Sequence, residues 1–217
     1  MPLDQDILLQ VNAAYAEPWQ CFGLETKAAY ILSKEAADTA PFKAYYRPPS
    51  EPILWSFWPE LNQLSMKPER ALELASLLTG KKQSFRTKPI FGFDEHGRKF
   101  RFAPPQGRAC LEDMPHDREV KQCLEAELAD IFLHVIYAHP FTDGNGRFAR
   151  ALLIGLLARC GLITSPCLPL SSVFHSQLKE IGAAVRFAAR TGNTMLLQAR
   201  LSEAINRAAQ IARDVAG

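Results

Sequence analysis

His139-Pro140-Phe141-Thr142-Asp143-Gly144-Asn145-Gly146-Arg147-Phe148-Ala149-Arg150 is the stretch on which both fold and chemistry turn. It joins two apolar segments. Before it, Val120, Cys123, Leu124, Leu128, Ile131, Phe132, Val135 and Ile136 recur at helical spacing and predict one helix from about Asp113 or Pro115 to Ala138. Pro140 disfavours helical geometry at His139 and ends the helix there. After it, Leu152, Leu153, Ile154, Leu156 and Leu157 make a segment apolar nearly all round. A helix from about Gly146 to Cys160, closed by Gly161, therefore belongs at the centre of the molecule.

Further out, the pattern stays helical with one exception. Leu24 to Ala37 is Ala-rich and helical, and Ser65 is placed to cap a helix through Leu78, with Pro68 in its first turn and Gly80 past its end. Two more helices are expected at about Ser176 to Ala189 and Thr194 to Val215. The segment Pro41 to Pro59 reads as an ordered, irregular connection, because it combines five prolines with Tyr45, Tyr46, Trp55 and Phe57. The exception is Pro89 to Phe93 and Arg98 to Phe102. These alternate, with Phe91 and Phe93 on one side of the first strand and Phe100 and Phe102 on one side of the second. They flank the turn Asp94-Glu95-His96-Gly97. The fold class is all-α, a helical bundle with one β-hairpin at about residues 89–103. A division into an N-terminal helical extension, residues 1–84, and a core, residues 85–217, is expected.

Composition narrows the function classes. The chain has 217 residues, 47% apolar and 22% charged, which suits a globular core and excludes long disorder or a collagen-like repeat. Its five cysteines are scattered with no Cys-x-x-Cys pair, against a disulfide scaffold or a zinc site. No signal peptide or membrane span is visible, and a cytoplasmic location is expected. The net charge of +2 says nothing about partners. Its distribution says more: Lys81, Lys82, Arg86, Lys88, Arg98, Lys99, Arg101 and Arg108 face only Asp94 and Glu95, a local basic strip.

The loop itself breaks local rules. Gly144, Asn145 and Gly146 lie where free backbone N–H groups open a buried helix, a ready anion site. Arg147 and Arg150 follow on one face, although cations are disfavoured at a helix N-terminus. Singly, each residue has a plain structural reading: His139 as a helix-end residue, Asp143 as an N-cap, Phe141 as a core anchor. Together they describe phosphoryl or nucleotidyl transfer. Asp143 among phosphate donors suits Mg²⁺, and His139 accepts a proton near neutral pH. No Gly-Lys-Ser/Thr follows, which excludes a P-loop, and no dinucleotide fingerprint is present.

The string from His139 to Arg147, with Arg150 three further on, resembles the signature of the Fic (Fido) family at all its defining positions. Phe85-Arg86-Thr87, the hairpin and Phe102-Ala103-Pro104-Pro105 look like the family's flap. The resemblance implies an AMP-transferring enzyme using ATP and Mg²⁺. It implies His139 as general base toward a target Ser, Thr or Tyr hydroxyl and Asp143 as metal ligand. It further implies Gly144, Asn145 and Gly146 as the anion hole, Arg147 on the β-phosphate and Arg150 on the γ-phosphate. The hairpin, at Phe91, Gly92 and Phe93, would bind the target protein as an added strand.

Family members are often restrained by a helix bearing Ser/Thr-x-x-x-Glu-Gly/Asn. Ser56 to Leu61 and Ser176 to Ile181 share only the frame, so inhibition by a separate small antitoxin-type partner, or none, is expected. A Tyr pair common in relatives is replaced by Phe174 and His175, which leaves GTP or UTP as alternatives to ATP. A phosphate-transferring relative would carry Ala-Asn-Lys where Gly144-Asn145-Gly146 stands. The rival from another class is a non-catalytic strand-binding module. No nucleic acid or membrane partner is expected.

Overall fold

A computed structural model describes residues 2–35, 51–93, 97–105, 107–112 and 123–217. In chain order, helices α1 (Gln5–Ala14), α2 (Leu24–Glu35), α3 (Glu51–Ser56), α4 (Trp58–Gln63) and α5 (Pro68–Thr79) precede strands β1 (Phe91–Phe93) and β2 (Lys99–Arg101). Helices α6 (Gly107–Glu112), α7 (Leu124–Ala138), α8 (Asn145–Arg159), α9 (Leu170–Ser176), α10 (Leu178–Thr191) and α11 (Met195–Ala216) follow. The molecule is mostly helical with a two-stranded antiparallel hairpin, as the sequence predicts.

Helix α8 is the axis of the packing. Phe148, Leu152, Leu153, Leu156 and Leu157 are fully or almost fully buried, each such leucine contributing about 2 kcal/mol of transfer free energy. It packs against α7, α4 and α5. A Cβ at Gly155 would collide with the Leu61 carbonyl oxygen, so glycine in mid-helix is what lets α4 cross so closely. The first and last helices close the core from the outside. The Tyr15 hydroxyl donates to the Ala212 carbonyl at 2.9 Å, and Asn206 holds Asp4 N–H at 2.8 Å and the Pro2 carbonyl at 2.9 Å.

Several boundaries differ from the sequence reading. Cys123 is extended (φ −130°, ψ 104°) and α7 begins at Leu124, so Cys123 is not part of the helical face. Val120 and the rest of 113–122 lie outside the described residues, as do residues 41–50 and Asp94, Glu95 and His96 of the hairpin turn. Within Pro41 to Pro59 the described part is not irregular: residues 51–63 form α3 and α4. Pro52 and Pro59 sit in their first turns, where no ladder N–H is needed. Ser65 does not cap α5. Lys67 is the N-cap, at ψ 148°, because Pro68 drives the residue before it to extended backbone. Gly80 closes α5 in the left-handed region (φ 66°) as predicted. The helix expected at Ser176 to Ala189 is α10, shifted to Leu178–Thr191, and the short α9 before it is not in the sequence reading. No disulfide joins the five cysteines. No helix among the described residues is long and apolar enough to cross a membrane.

Candidate active site

The loop between α7 and α8 is built on its own residues before anything else touches it. Asn145, 2% exposed, accepts from the Phe141 N–H through Oδ1 and donates to the Phe141 carbonyl through Nδ2, both at 2.9 Å. Its side chain is spent on this staple, so only its backbone N–H is left for an anion. Phe141 is fully buried, edge-on to Phe148 at 5.1 Å and stacked on Phe85 at 6.0 Å, the core anchor the sequence predicts. Gly144 is left-handed (φ 85°), and a Cβ there would come within 2.7 Å of Thr79 Cγ2. The loop therefore tolerates only glycine at this point.

Ladder bonding in α8 starts with Phe148 N–H to the Gly144 carbonyl at 2.9 Å. The N–H groups of Asn145, Gly146 and Arg147 precede it and have no intrahelical acceptor. Asp143 does not cap them: its Oδ1 accepts from Gly144 N–H at 2.6 Å, and no side chain caps the helix start. Arg147 donates to the Leu78 carbonyl at 2.9 Å and lies 3.5 Å from Asp143 Oδ2. Arg150 donates to Ser171 Oγ at 3.3 Å and stands over the Phe174 ring at 5.7 Å. Burial pushes the Arg150 guanidinium down to about 10, with Arg147 adding to the effect and Glu25 opposing it. It stays charged at neutral pH.

His139 ends α7 in the left-handed region (φ 51°, ψ 59°), a costly backbone for a non-glycine residue and one that gathers at functional sites. Its Nδ1 lies 3.2 Å from the Ile136 carbonyl. A carbonyl only accepts, so Nδ1 carries the proton and Nε2 is the basic nitrogen. Burial holds the imidazole below its ordinary range; Arg86 pushes the same way, while the Ile136 bond and Asp143 oppose it. The neutral, proton-accepting form is thus favoured.

The hairpin supplies the roof. Pairing is Phe91 with Arg101, Gly92 with Phe100 and Phe93 with Lys99. Phe91 and Phe93 face outward, 48% and 67% exposed, with Lys99 Nζ 4.0 Å over the Phe91 ring. Phe100 lies on the other face, its ring against the Cα of Gly92. Phe100 meets Phe102 at 5.0 Å, and Phe102 meets the His139 ring at 4.4 Å. Arg86 corrects the basic strip: it is 4% exposed, and Arg108 is engaged by Glu69 and Glu112.

A cavity of about 660 Å³ opens between the loop, the hairpin and α10, lined among others by Asp143, Gly146, Arg147, Arg150, Phe102 and Glu25. Phe174 and His175 line it too. His139, Gly144 and Asn145 do not; His139 meets it through Phe102. Of the two candidate regulatory carboxylates, Glu60 is bound by Arg70 at 2.8 Å and Glu180 is exposed on α10. The sequence reading missed Glu25. It is 6% exposed and accepts from Ser171 N–H (2.8 Å), Ser172 N–H (2.9 Å) and Ser172 Oγ (2.7 Å). No local pattern marks a residue whose partners are 146 and 147 positions away. No group of three or more His, Cys, Asp or Glu suited to a metal occurs among the described residues. Of the two cavity-lining carboxylates, Glu25 is committed to the start of α9, and Asp143 suits Mg²⁺ arriving with phosphate oxygens.

An anion-ready helix start, two arginines, Asp143 and a neutral imidazole are groups that suit phosphate chemistry. Residues 63–157 match the Fic/DOC family and form a Fic/DOC family domain. Such domains are generally enzymes of nucleotidyl or phosphoryl transfer to proteins, typically with Mg²⁺ and a nucleotide. No curated protein matches the chain.

Proposed function

We propose that this protein transfers AMP from ATP to a Ser, Thr or Tyr hydroxyl of a target protein. The observation that carries the reading is the start of α8. Three N–H groups lie ahead of the first ladder bond, no side chain caps them, and Arg147 and Arg150 line the cavity beside them. Asp143, 3.5 Å from Arg147, faces this concentration of donors, an arrangement that suits a polyphosphate arriving with Mg²⁺.

In this reading Gly144, Asn145 and Gly146 shape the anion hole through backbone, Arg147 takes the β-phosphate and Arg150 the γ-phosphate. Mg²⁺, held by Asp143, would offset charge on the α- and β-phosphates. Nε2 of His139 accepts the hydroxyl proton as the target oxygen attacks the α-phosphorus. An O–P bond forms, the α–β bridging P–O bond breaks, and its electron pair leaves with pyrophosphate. Positioning and charge stabilisation supply most of the rate. Phe91, Gly92 and Phe93 would offer a strand edge to the target, and a separate antitoxin-type protein would supply any inhibition.

The test incubates the protein and Mg²⁺ with each of four α-labelled nucleoside triphosphates and with γ-labelled ATP, with and without lysate, beside His139→Ala. Protein label from α-labelled ATP alone, lost in the variant, supports AMP transfer. A different preferred base corrects the nucleotide, and label only from the γ position replaces the reading with phosphate transfer.

A further inference from the structure

Arg86 makes more backbone contacts than any other side chain near the loop. Its Nε donates to the His139 carbonyl at 2.8 Å and its Nη2 to the Ala138 carbonyl at 2.7 Å. The same Nη2 reaches the Ala103 carbonyl at 2.7 Å and the Pro104 carbonyl at 3.4 Å, while Nη1 reaches the Lys88 carbonyl at 3.2 Å. Its own N–H donates to the Pro140 carbonyl at 2.8 Å. One buried guanidinium thus binds the end of α7, the entry to the hairpin at Lys88 and the exit from it at Ala103 and Pro104. Among the described residues the hairpin is also tied to the end of α7 by Ala103 N–H to the Tyr137 carbonyl at 3.2 Å and by the Phe102 ring on His139.

We propose that Arg86 is the positioning residue of the site, fixing His139 in its left-handed turn and locking the hairpin to it, so that base and bound target strand share one frame. This rests on His139 acting as the base. Two features require such a lock. His139 sits in a backbone region that a non-glycine residue keeps only when its surroundings over-determine it. The hairpin is two-stranded, with three paired residues per strand, too small to hold its own orientation. Lysine cannot replace the fork, because a single ammonium on a flexible stem cannot span five carbonyls in fixed directions. Arg86 is not among the cavity-lining residues, so its effect runs through His139 and the hairpin rather than through nucleotide.

The test uses the full chain as wild type, Arg86→Lys and Arg86→Gln, with folding checked by thermal melting. Measured are the His139 imidazole titration by NMR, amide exchange at Ala103, and labelled transfer as kcat and KM for ATP. Arg86 and Asp143 are the charged groups acting on that imidazole. In Arg86→Gln the titration midpoint moves upward, exchange at Ala103 quickens, and kcat falls about 100-fold, the scale of a 1 Å misplacement, at unchanged KM. In Arg86→Lys the charge remains and the midpoint stays low, yet kcat falls comparably. Full kcat in Arg86→Lys, or a loss expressed in KM alone, overturns the proposal; so does a folded Arg86→Gln with wild-type titration and exchange. Should Arg86→Gln not fold, Arg86→Lys decides through kcat and exchange. If wild type shows no transfer, the functional reading fails, and titration with exchange still decides the lock.

Discussion

Two helix starts, those of α8 and α9, adjoin the same cavity and are treated in opposite ways. At α9 the N–H groups of Ser171 and Ser172 are closed off by Glu25, a buried carboxylate from a distant helix. At α8 no side chain caps the start, and arginines replace the acids that would complement the dipole. The protein therefore has the means to satisfy a helix start internally and does so at one of the two. On the proposed function, the other would take its negative charge from a bound phosphate, external at α8 where that at α9 is internal and permanent.

The largest effect tests whether the open start binds while the imidazole reacts. His139→Ala should cut labelled transfer by about 10²- to 10⁴-fold while leaving ATP affinity by calorimetry unchanged; a parallel loss of affinity would merge the two roles. Next is the closed start. Glu25→Ala leaves two buried N–H groups and a hydroxyl without their acceptor and should cost about 3 kcal/mol of stability in denaturant unfolding. A neutral result would mean that water caps α9 as well as the carboxylate does. Gly144→Ala attacks the open start sterically, forcing a Cβ at φ 85° toward Thr79 Cγ2. A loss of about 1–3 kcal/mol, with weaker ATP binding, is expected.

The smallest effect is in pH. The folded-state value of His139 lies below its ordinary 6.5, so the base form persists below that pH and the acid limb of the rate profile should fall there. The same depression makes the His139 contribution to stability complete above the unfolded value and lost as pH drops through the folded one. An acid limb above 6.5 would contradict the buried, neutral imidazole.

The sequence carried α8 and the C-terminal end of α7 well, because an apolar period over a dozen residues is a local signal and Pro140 punctuates it, while the start of α7 at Leu124 fell short of the expected one. It also carried the anion-ready loop, since glycines and arginines at a helix start conflict with helix physics within a single turn. Helix α9 is not legible, because seven residues give too short a period to read. Helix α1 was overlooked despite a signal, Asp4 accepting from Ile7 N–H at 3.0 Å as N-cap. Arg86 shows the deeper limit. In sequence it is one of eight cations in a basic strip; what distinguishes it is five carbonyls converging from three segments, which no local pattern encodes. Glu25 is illegible for the same reason.

The clasp of α1 by α11 has a consequence for how the chain comes into being. Tyr15 and Asp4 find Ala212 and Asn206 only near the opposite end of the sequence, and α11 also packs on α7. Contacts of such long sequence separation form slowly, so during synthesis the faces of α1 and α7 that α11 covers emerge before α11 itself. The interval is one in which the uncovered faces of α1 and α7 are open to chaperones and to aggregation.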